Sequence, residues 1–181
     1  SLTVNDYTNT LGSFTPPATF NINGNTLLTA GVFTAGTTIN AAGNWTNNGG
    51  TFTAGAGTVN FNGTAQAIGG SSNHTFNHFT INPTSTITAS SGIISISGNW
   101  VNDGAFVHNS GTVTFTRTTP QTLGGANSTT FYNLIENGLA GKTTLLINTS
   151  IANNLTITAG TLDIGLFTCN GNGGTFSVAN S

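Results

Sequence analysis

Apolar side chains alternate with Thr or Ser at 85–88 (STIT), 93–97 (IISIS), 112–116 (TVTFT) and 155–158 (LTIT). A period of two belongs to a strand with one dry and one wet face. No sustained i, i+3, i+4 apolar spacing accompanies it, and the dominant residues, Thr, Asn, Ser and Gly, are middling to poor helix formers. Between the strands lie turn signals that tolerate positive φ, among them Asn48-Gly49, Asn62-Gly63, Gly69-Gly70, Gly124-Gly125, Asn137-Gly138 and Asn170-Gly171. The pattern predicts an all-β chain of short strands and tight turns.

Two longer periods run through it. Gly43-Asn44-Trp45 and Gly98-Asn99-Trp100 open two copies of one passage, in which Trp45 matches Trp100, Val59 matches Val113, Phe61 matches Phe115, Ile68 matches Leu123 and Phe76 matches Phe131, about 55 residues apart. Inside it, Leu2, Phe20, Ile39, Val59, Phe79, Ile96, Phe115, Leu134, Leu155 and Phe176 recur at roughly 17 to 21 residues, the length of one turn of a β-solenoid. Three such turns match the longer period. The chain is therefore expected to be a single β-solenoid (β-helix) domain over 1–181, with repeats near 43–97 and 98–152 and a partial copy at 153–181. About nine coils, each adding a strand spacing of roughly 4.8 Å, give a rod of about 45 Å. The competing arrangement is a pair of β-sandwiches, for which 55 residues is short against the roughly 100 of an immunoglobulin-like unit. The predicted interior comprises Trp45, Val59, Phe61, Phe76, Trp100, Val113, Phe115 and Phe131, with the two tryptophans at equivalent buried positions.

Composition narrows the function. Charged residues are 3% of the chain and hydrophobic ones 36%, too apolar for a disordered linker. Arg117, Lys142, Asp6, Asp103, Glu136 and Asp163 cannot coat the surface, which must be largely Thr, Asn, Ser and Gly. A net charge of −2 excludes the basic footprint that nucleic acid requires. No stretch reaches the roughly 18 apolar residues of a membrane helix, so membrane insertion is not expected. The start Ser1-Leu2-Thr3-Val4 has no signal-peptide character, which leaves a cytosolic or an already processed chain.

Candidate chemistry is sparse. The four carboxylates are widely spaced and offer no acid/base pair, and Cys169, with no His signalled nearby, reads as a small apolar filler rather than a nucleophile. His74 and His78 could share a strand face and hold a metal, but Thr129 and Asn133 replace them in the second copy, so surface polar residues are the expectation. Calcium-binding nonapeptides are absent. Six Asn-x-Ser/Thr sequons are about what chance gives in so Asn- and Thr-rich a chain. No catalytic, metal or cofactor site is predicted, and an enzyme is not expected. The pairs Thr51/Thr53, Thr86/Thr88, Thr112/Thr114 and Thr156/Thr158 raise an ice-binding face, and exposed Tyr7, Tyr132 and Asn side chains a glycan-binding one.

Segments 43–52, 57–64, 111–118, 129–134 and 155–165 resemble the GNWTNNGTF, GTVTFNGT, TTFYNL and LTITAGTLDIG repeats of large secreted adhesin-like β-solenoid surface proteins of Bacteroidetes; the likeness covers about two-thirds of the chain. The first forty residues and 137–153 depart from it. The resemblance implies a processed, secreted protein at the cell surface and specifies no activity.

The expected role is structural, a solenoid subunit assembling head-to-tail with itself into a surface fibre, or lying beside neighbouring repeats in a longer array. Leu2, Val4, Thr175, Phe176 and Val178, in β-prone segments without Lys or Arg, are the predicted assembly interface. The alternatives are an adhesin or carbohydrate-binding module that takes surface glycans, and an ice-binding protein.

Overall fold

A computed structural model describes residues 1–178, all of whose regular elements are strands. The chain winds as a three-sided β-solenoid, and every strand pairing is parallel and joins strands one coil apart. The first face carries Leu2–Val4, Thr19–Ile22, Thr38–Ala41, Thr58–Phe61, His78–Ile81, Trp100–Asn102 and Gln121–Gly124. It is completed by the later halves of two long strands, Asn133–Leu145 and Leu155–Asp163, which bend around a corner. Nine strand passages on this face make nine coils. The second face runs from Tyr7–Asn9 to Cys169–Gly171, the third from Ser13–Phe14 to Phe176–Val178.

Alternation places the core. In Thr19–Ile22, Phe20 and Ile22 are buried while Thr19 and Asn21 face outward, and Thr38–Ala41 and Thr58–Phe61 repeat the pattern. Because neighbouring coils pair in register, equal positions stack into columns. On the first face the column reads Leu2, Phe20, Ile39, Val59, Phe79, Trp100, Leu123, Leu145. All eight predicted interior residues are buried, each at most 3% exposed. Four of these rings, Trp45, Phe61, Phe76 and Trp100, join through Phe79 in a chain of contacts along the axis: Trp45 meets Phe76 at 5.5 Å, Phe76 meets Phe79 at 5.4 Å, Phe61 meets Phe79 at 4.8 Å, and Phe79 stacks on Trp100 at 4.5 Å.

Two expectations about periodicity are corrected. Trp45 lies in the eighth strand, on the second face, and Trp100 in the sixteenth, on the first. Eight strands at three per coil are two and two-thirds turns, not three, so the second copy is the first turned by one face. Local details follow the same rotation. Gly70, at φ 112°, packs against the backbone of Asn47, and its counterpart Gly125, at φ 125°, against that of Asn102. Each glycine heads a corner where the strand ladder is interrupted, on the third face before His74–Phe76 and on the second before Thr129–Phe131. The single 17–21-residue series also changes face: it follows one column from Leu2 to Phe79, but Phe79 pairs with Trp100, and Ile96 belongs to the third face. Corner length varies enough for a two-strand step to resemble a full turn.

Corners are built by Gly-Asn. A Cβ on Gly43 would collide with the Gly24 carbonyl oxygen one coil below, so only glycine fits. The following Asn25 and Asn44 accept, through Oδ1, the backbone N–H of Asn44 (2.9 Å) and Ala67 (2.8 Å) in the next coil. Such bonds satisfy N–H groups that the strand ladders leave out.

Candidate functional site: the open ends of the rod

Apart from the two interior interruptions beside Gly70 and Gly125, strands paired on one side only lie in the coils at the two ends. Leu2–Val4, Tyr7–Asn9 and Ser13–Phe14 pair only with the coil above, and the second half of Leu155–Asp163, Cys169–Gly171 and Phe176–Val178 only with the coil below. Unpaired parallel edges are templates for another strand. Of the predicted interface, Leu2 is 37%, Phe176 63% and Val178 58% exposed; Thr175 is exposed and Val4 half-buried. The structure separates these residues by face, with Leu2 and Val4 on the first and Phe176 and Val178 on the third.

The upper end, toward residue 178, holds a hollow that the sequence did not signal. It has a volume of about 440 Å³ and is lined by Leu155, Ile157, Leu162, Ile164, Cys169 and Phe176, among others. Its origin is volumetric: the axial chain of ring contacts ends at Phe131, and the coils beyond line the hollow with aliphatic side chains, Cys169, the glycines Gly171 and Gly174 and a single ring, the largely exposed Phe176. The lower end is filled. Tyr7 packs on Phe14, Phe20 and Phe33 at ring distances of 5.3, 5.5 and 4.6 Å. Tyr7 is thus part of the interior edge rather than an exposed glycan contact, and burial pushes its phenol up. Tyr132 is half-buried and lies against His108 at 5.4 Å.

The ends also differ in polarity. Wherever a side chain accepts a backbone N–H from another coil among the described residues, the acceptor is in the lower coil: Asp6 takes Asn25 N–H, Asn99 takes Thr122 N–H, Asn148 takes Thr168 N–H and Asn154 takes Thr175 N–H. Thr168 and Thr175 therefore stand where the next acceptors of these series fall. The backbone ladders run both ways, Asn23 N–H bonding down to Val4 O and Tyr7 N–H up to Asn25 O, so the one-way order belongs to the corner side chains alone.

The remaining candidates do not converge. His74 points inward on the third face, 2% exposed, while His78 faces outward on the first and accepts the Asn99 N–H at Nδ1, 2.9 Å away. They cannot share a metal, and the surface reading fails for His74. Burial holds its imidazole at about 4, against an ordinary 6.5. Desolvation and, secondarily, Arg117 lower His78. Among the described residues no three His, Cys, Asp or Glu side chains cluster. Glu136 occupies an interior position between Phe115 and Ile157, 1% exposed. Desolvation raises its carboxyl, and the neighbouring Thr143 hydroxyl and Gly138 N–H offset only part of the rise. Cys169 is half-buried at the hollow with its thiol raised by burial, unlike an activated nucleophile. The four Thr-x-Thr pairs are spread over two faces, and Thr114 is buried, so they form no common array. Three Thr-x-Asn pairs do align on the first face, Thr19/Asn21, Thr38/Asn40 and Thr58/Asn60, and the asparagines bond to one another at 2.8 and 2.9 Å.

No protein family, curated protein or solved structure matches this chain.

Proposed function

We propose that the chain is an extracellular structural module, a β-solenoid that stacks end to end with further copies of itself into a rod or surface filament. The observation that carries this reading is one interior column left unfinished at both ends. Leu2, 37% exposed, begins it; the register Thr144 to Asp163 puts Ile164, 44% exposed, next above Leu145. A coil placed on either end would bury the terminal side chain and pair the open edges on all three faces at once. Upper-to-lower contact also continues the corner series, in which the side chain of the lower coil accepts the N–H of the coil above. Such a contact is heterologous and does not close, so repetition gives a filament rather than a dimer. Each end coil carries a single carboxylate, Asp6 below and Asp163 above, the latter paired with Lys142, and no edge strand carries Lys or Arg, so little charge opposes edge pairing.

The test is light scattering and negative-stain microscopy of the purified chain over a concentration series. Growing rods of constant width support the reading. A monomer at every concentration refutes it and assigns the ends to flanking coils of a longer polypeptide.

A second reading, an adhesin or carbohydrate-binding module, draws on the aligned Thr-x-Asn pairs. Asn21 and Asn40 each use one donor and one acceptor along the column and Asn60 one donor, so all three keep polar capacity for hydroxyl groups of a neutral glycan. Retention on insoluble neutral polysaccharide, lost in Asn40→Ala, would favour it.

A further inference from the structure

One corner of the interior gathers polar atoms that nothing in the chain pairs. It lies between the third and first faces, where 115–121, 136–143 and 157–162 stack in three successive coils. Glu136 reaches it from the third face and Thr143 from the first, both fully buried, and Gln121 lies directly beneath Thr143 in the register. Glu136 Oε1 accepts the Gly138 N–H at 3.3 Å, but Glu136 Oε2, Thr143 Oγ1 and Gln121 Nε2 are buried without a partner. The Thr143 hydroxyl stands beside the carboxylate and makes no hydrogen bond of ordinary geometry with it. The first copy closes the corresponding place on its own. There Gln66, the counterpart of Gln121, donates to the Ala41 and Gly43 carbonyls at 2.9 and 2.6 Å and accepts the Gly63 N–H at 2.8 Å.

Main-chain oxygens turn toward the same place. Between Asn137 and Lys142 the register slips, so that residues 138–141 lie opposite Gly160 alone. The slack brings two carbonyls up against Gly160: a Cβ there would collide with the Gly138 oxygen and lie 2.9 Å from that of Gly141 and 3.2 Å from Glu136 Oε1. From below, the Arg117 carbonyl oxygen would collide with a Cβ on Gly138 or Gly141. An ionised carboxylate in such a setting requires a counter-charge. The chain's two basic side chains are engaged elsewhere, Arg117 Nε with Thr119 and Lys142 with Asp163 at 2.8 Å, in both cases on the exposed surface. Carboxylate and carbonyl oxygens are the ligands that hard cations take. We propose that this corner binds one alkali cation, Na+ or K+, held by Glu136, Thr143 Oγ1 and the carbonyls of Arg117, Gly138 and Gly141. A single carboxylate balances a single positive charge, whereas a divalent ion would leave a net charge in the interior. The Gln121 amide, turned to present Oε1, supplies a further oxygen. The ion joins three coils through their main chains, and its binding does not require assembly.

Thermal unfolding of the purified chain at slightly alkaline pH, in sodium, potassium and tetramethylammonium chloride of equal ionic strength, tests the site. The melting temperature should climb with the logarithm of alkali-ion concentration, as for any ligand that only the folded chain binds, and should not respond to tetramethylammonium, which is too large to enter. Glu136→Gln should be the more stable chain in tetramethylammonium and should lose the climb, so that its advantage shrinks in sodium or potassium. Thr143→Val keeps the shape without the hydroxyl and should weaken binding roughly tenfold or more, the scale on which groups around a metal centre act. Sodium NMR reads binding without any substitution: the unmodified chain should broaden the line, and potassium should narrow it again by displacement. Equal melting temperatures in all three salts with an unbroadened sodium line overturn the site. A response that survives in Glu136→Gln overturns it as well, by placing the ion elsewhere. Calcium that saturates the effect at a lower concentration than either alkali ion overturns the choice of a monovalent cation.

Discussion

Trp45 and Trp100 occupy the same place in two copies of one repeat, yet they lie on different faces of the prism, one-third of a turn apart. Both are buried against phenylalanines, Trp45 on Phe52 at 4.9 Å and Trp100 on Phe79 at 4.5 Å. The repeat unit thus specifies a local environment that any face can provide. Eight strands, and not a whole number of coils, are the unit that recurs.

The first prediction concerns these side chains. Trp45→Ala and Trp100→Ala should each cost roughly 3–5 kcal/mol, the range for emptying a large buried aromatic site. Trp100→Phe should cost less than Trp100→Ala but more than a ring exchange alone. It removes the indole N–H that donates to Thr129 Oγ1 at 3.2 Å, although Asn102 keeps that oxygen paired at 3.1 Å. Urea denaturation of the three variants checks the order. A tryptophan whose removal leaves the midpoint unmoved is not part of the core.

His74 makes stability sensitive to acid. Its native pKa of about 4 lies below the ordinary 6.5, so as pH falls the unfolded chain takes up a proton first. Stability from this residue is full above about pH 6.5, declines between there and pH 4, and falls no further below. The loss is on the order of 3 kcal/mol, from about 1.4 kcal/mol per pKa unit. The second copy carries Thr129 at the equivalent place, so His74→Thr should flatten the pH 4–6.5 limb of a melting-temperature profile. A profile unchanged by the substitution would move the acid sensitivity elsewhere.

Glu136 acts with the opposite sign. A carboxyl raised by burial holds its proton in the native state after the unfolded chain has released it. Stability is therefore lost as pH rises from the ordinary carboxylate value through the native one. Glu136→Gln keeps the shape and removes the titration, and it should raise the melting temperature at pH 7–8 while changing little at pH 4. Equal shifts at both pH values would mean that packing, not ionisation, governs the site.

How much of this was legible in the sequence depends on what each residue's neighbours encode. The strands and the column from Leu2 through Phe79 could be read directly, because inward apolar and outward Thr or Asn positions alternate regardless of the face they occupy. That same indifference hid the rotation between copies: Val59 and Val113 fill matching environments on different faces, and nothing in their side chains records which. His74 was misread because a histidine between Asn73 and Thr75 looks like surface, and only the pairing of His74 with Ile94 turns it inward. Ile164 and Cys169 resemble any interior residue in sequence. Their exposure at the hollow follows from their place in the last coil, where only the largely exposed Phe176 adds a ring to the lining beyond Phe131, a three-dimensional property.

Assembly itself gives the last prediction. Val4 and Phe176 lie on strands whose outer edges are open, one at each end of the rod, and a Lys at either place would bring an unpaired charge into a junction that is otherwise apolar and strand-paired. The double variant Val4→Lys, Phe176→Lys should therefore abolish filaments seen by electron microscopy while its circular dichroism stays that of a β protein, since the substitutions touch only the end coils. For the unmodified chain, rods should form equally at low and high salt, because backbone pairing and apolar contact are little screened and the one ion pair among the described residues, Lys142 to Asp163 at 2.8 Å, joins adjacent coils of the same chain. Rods that persist in the double variant would place the contact along the sides of the prism. There the Thr-x-Asn pairs of the first face, centred on Asn40, become the surface to substitute next.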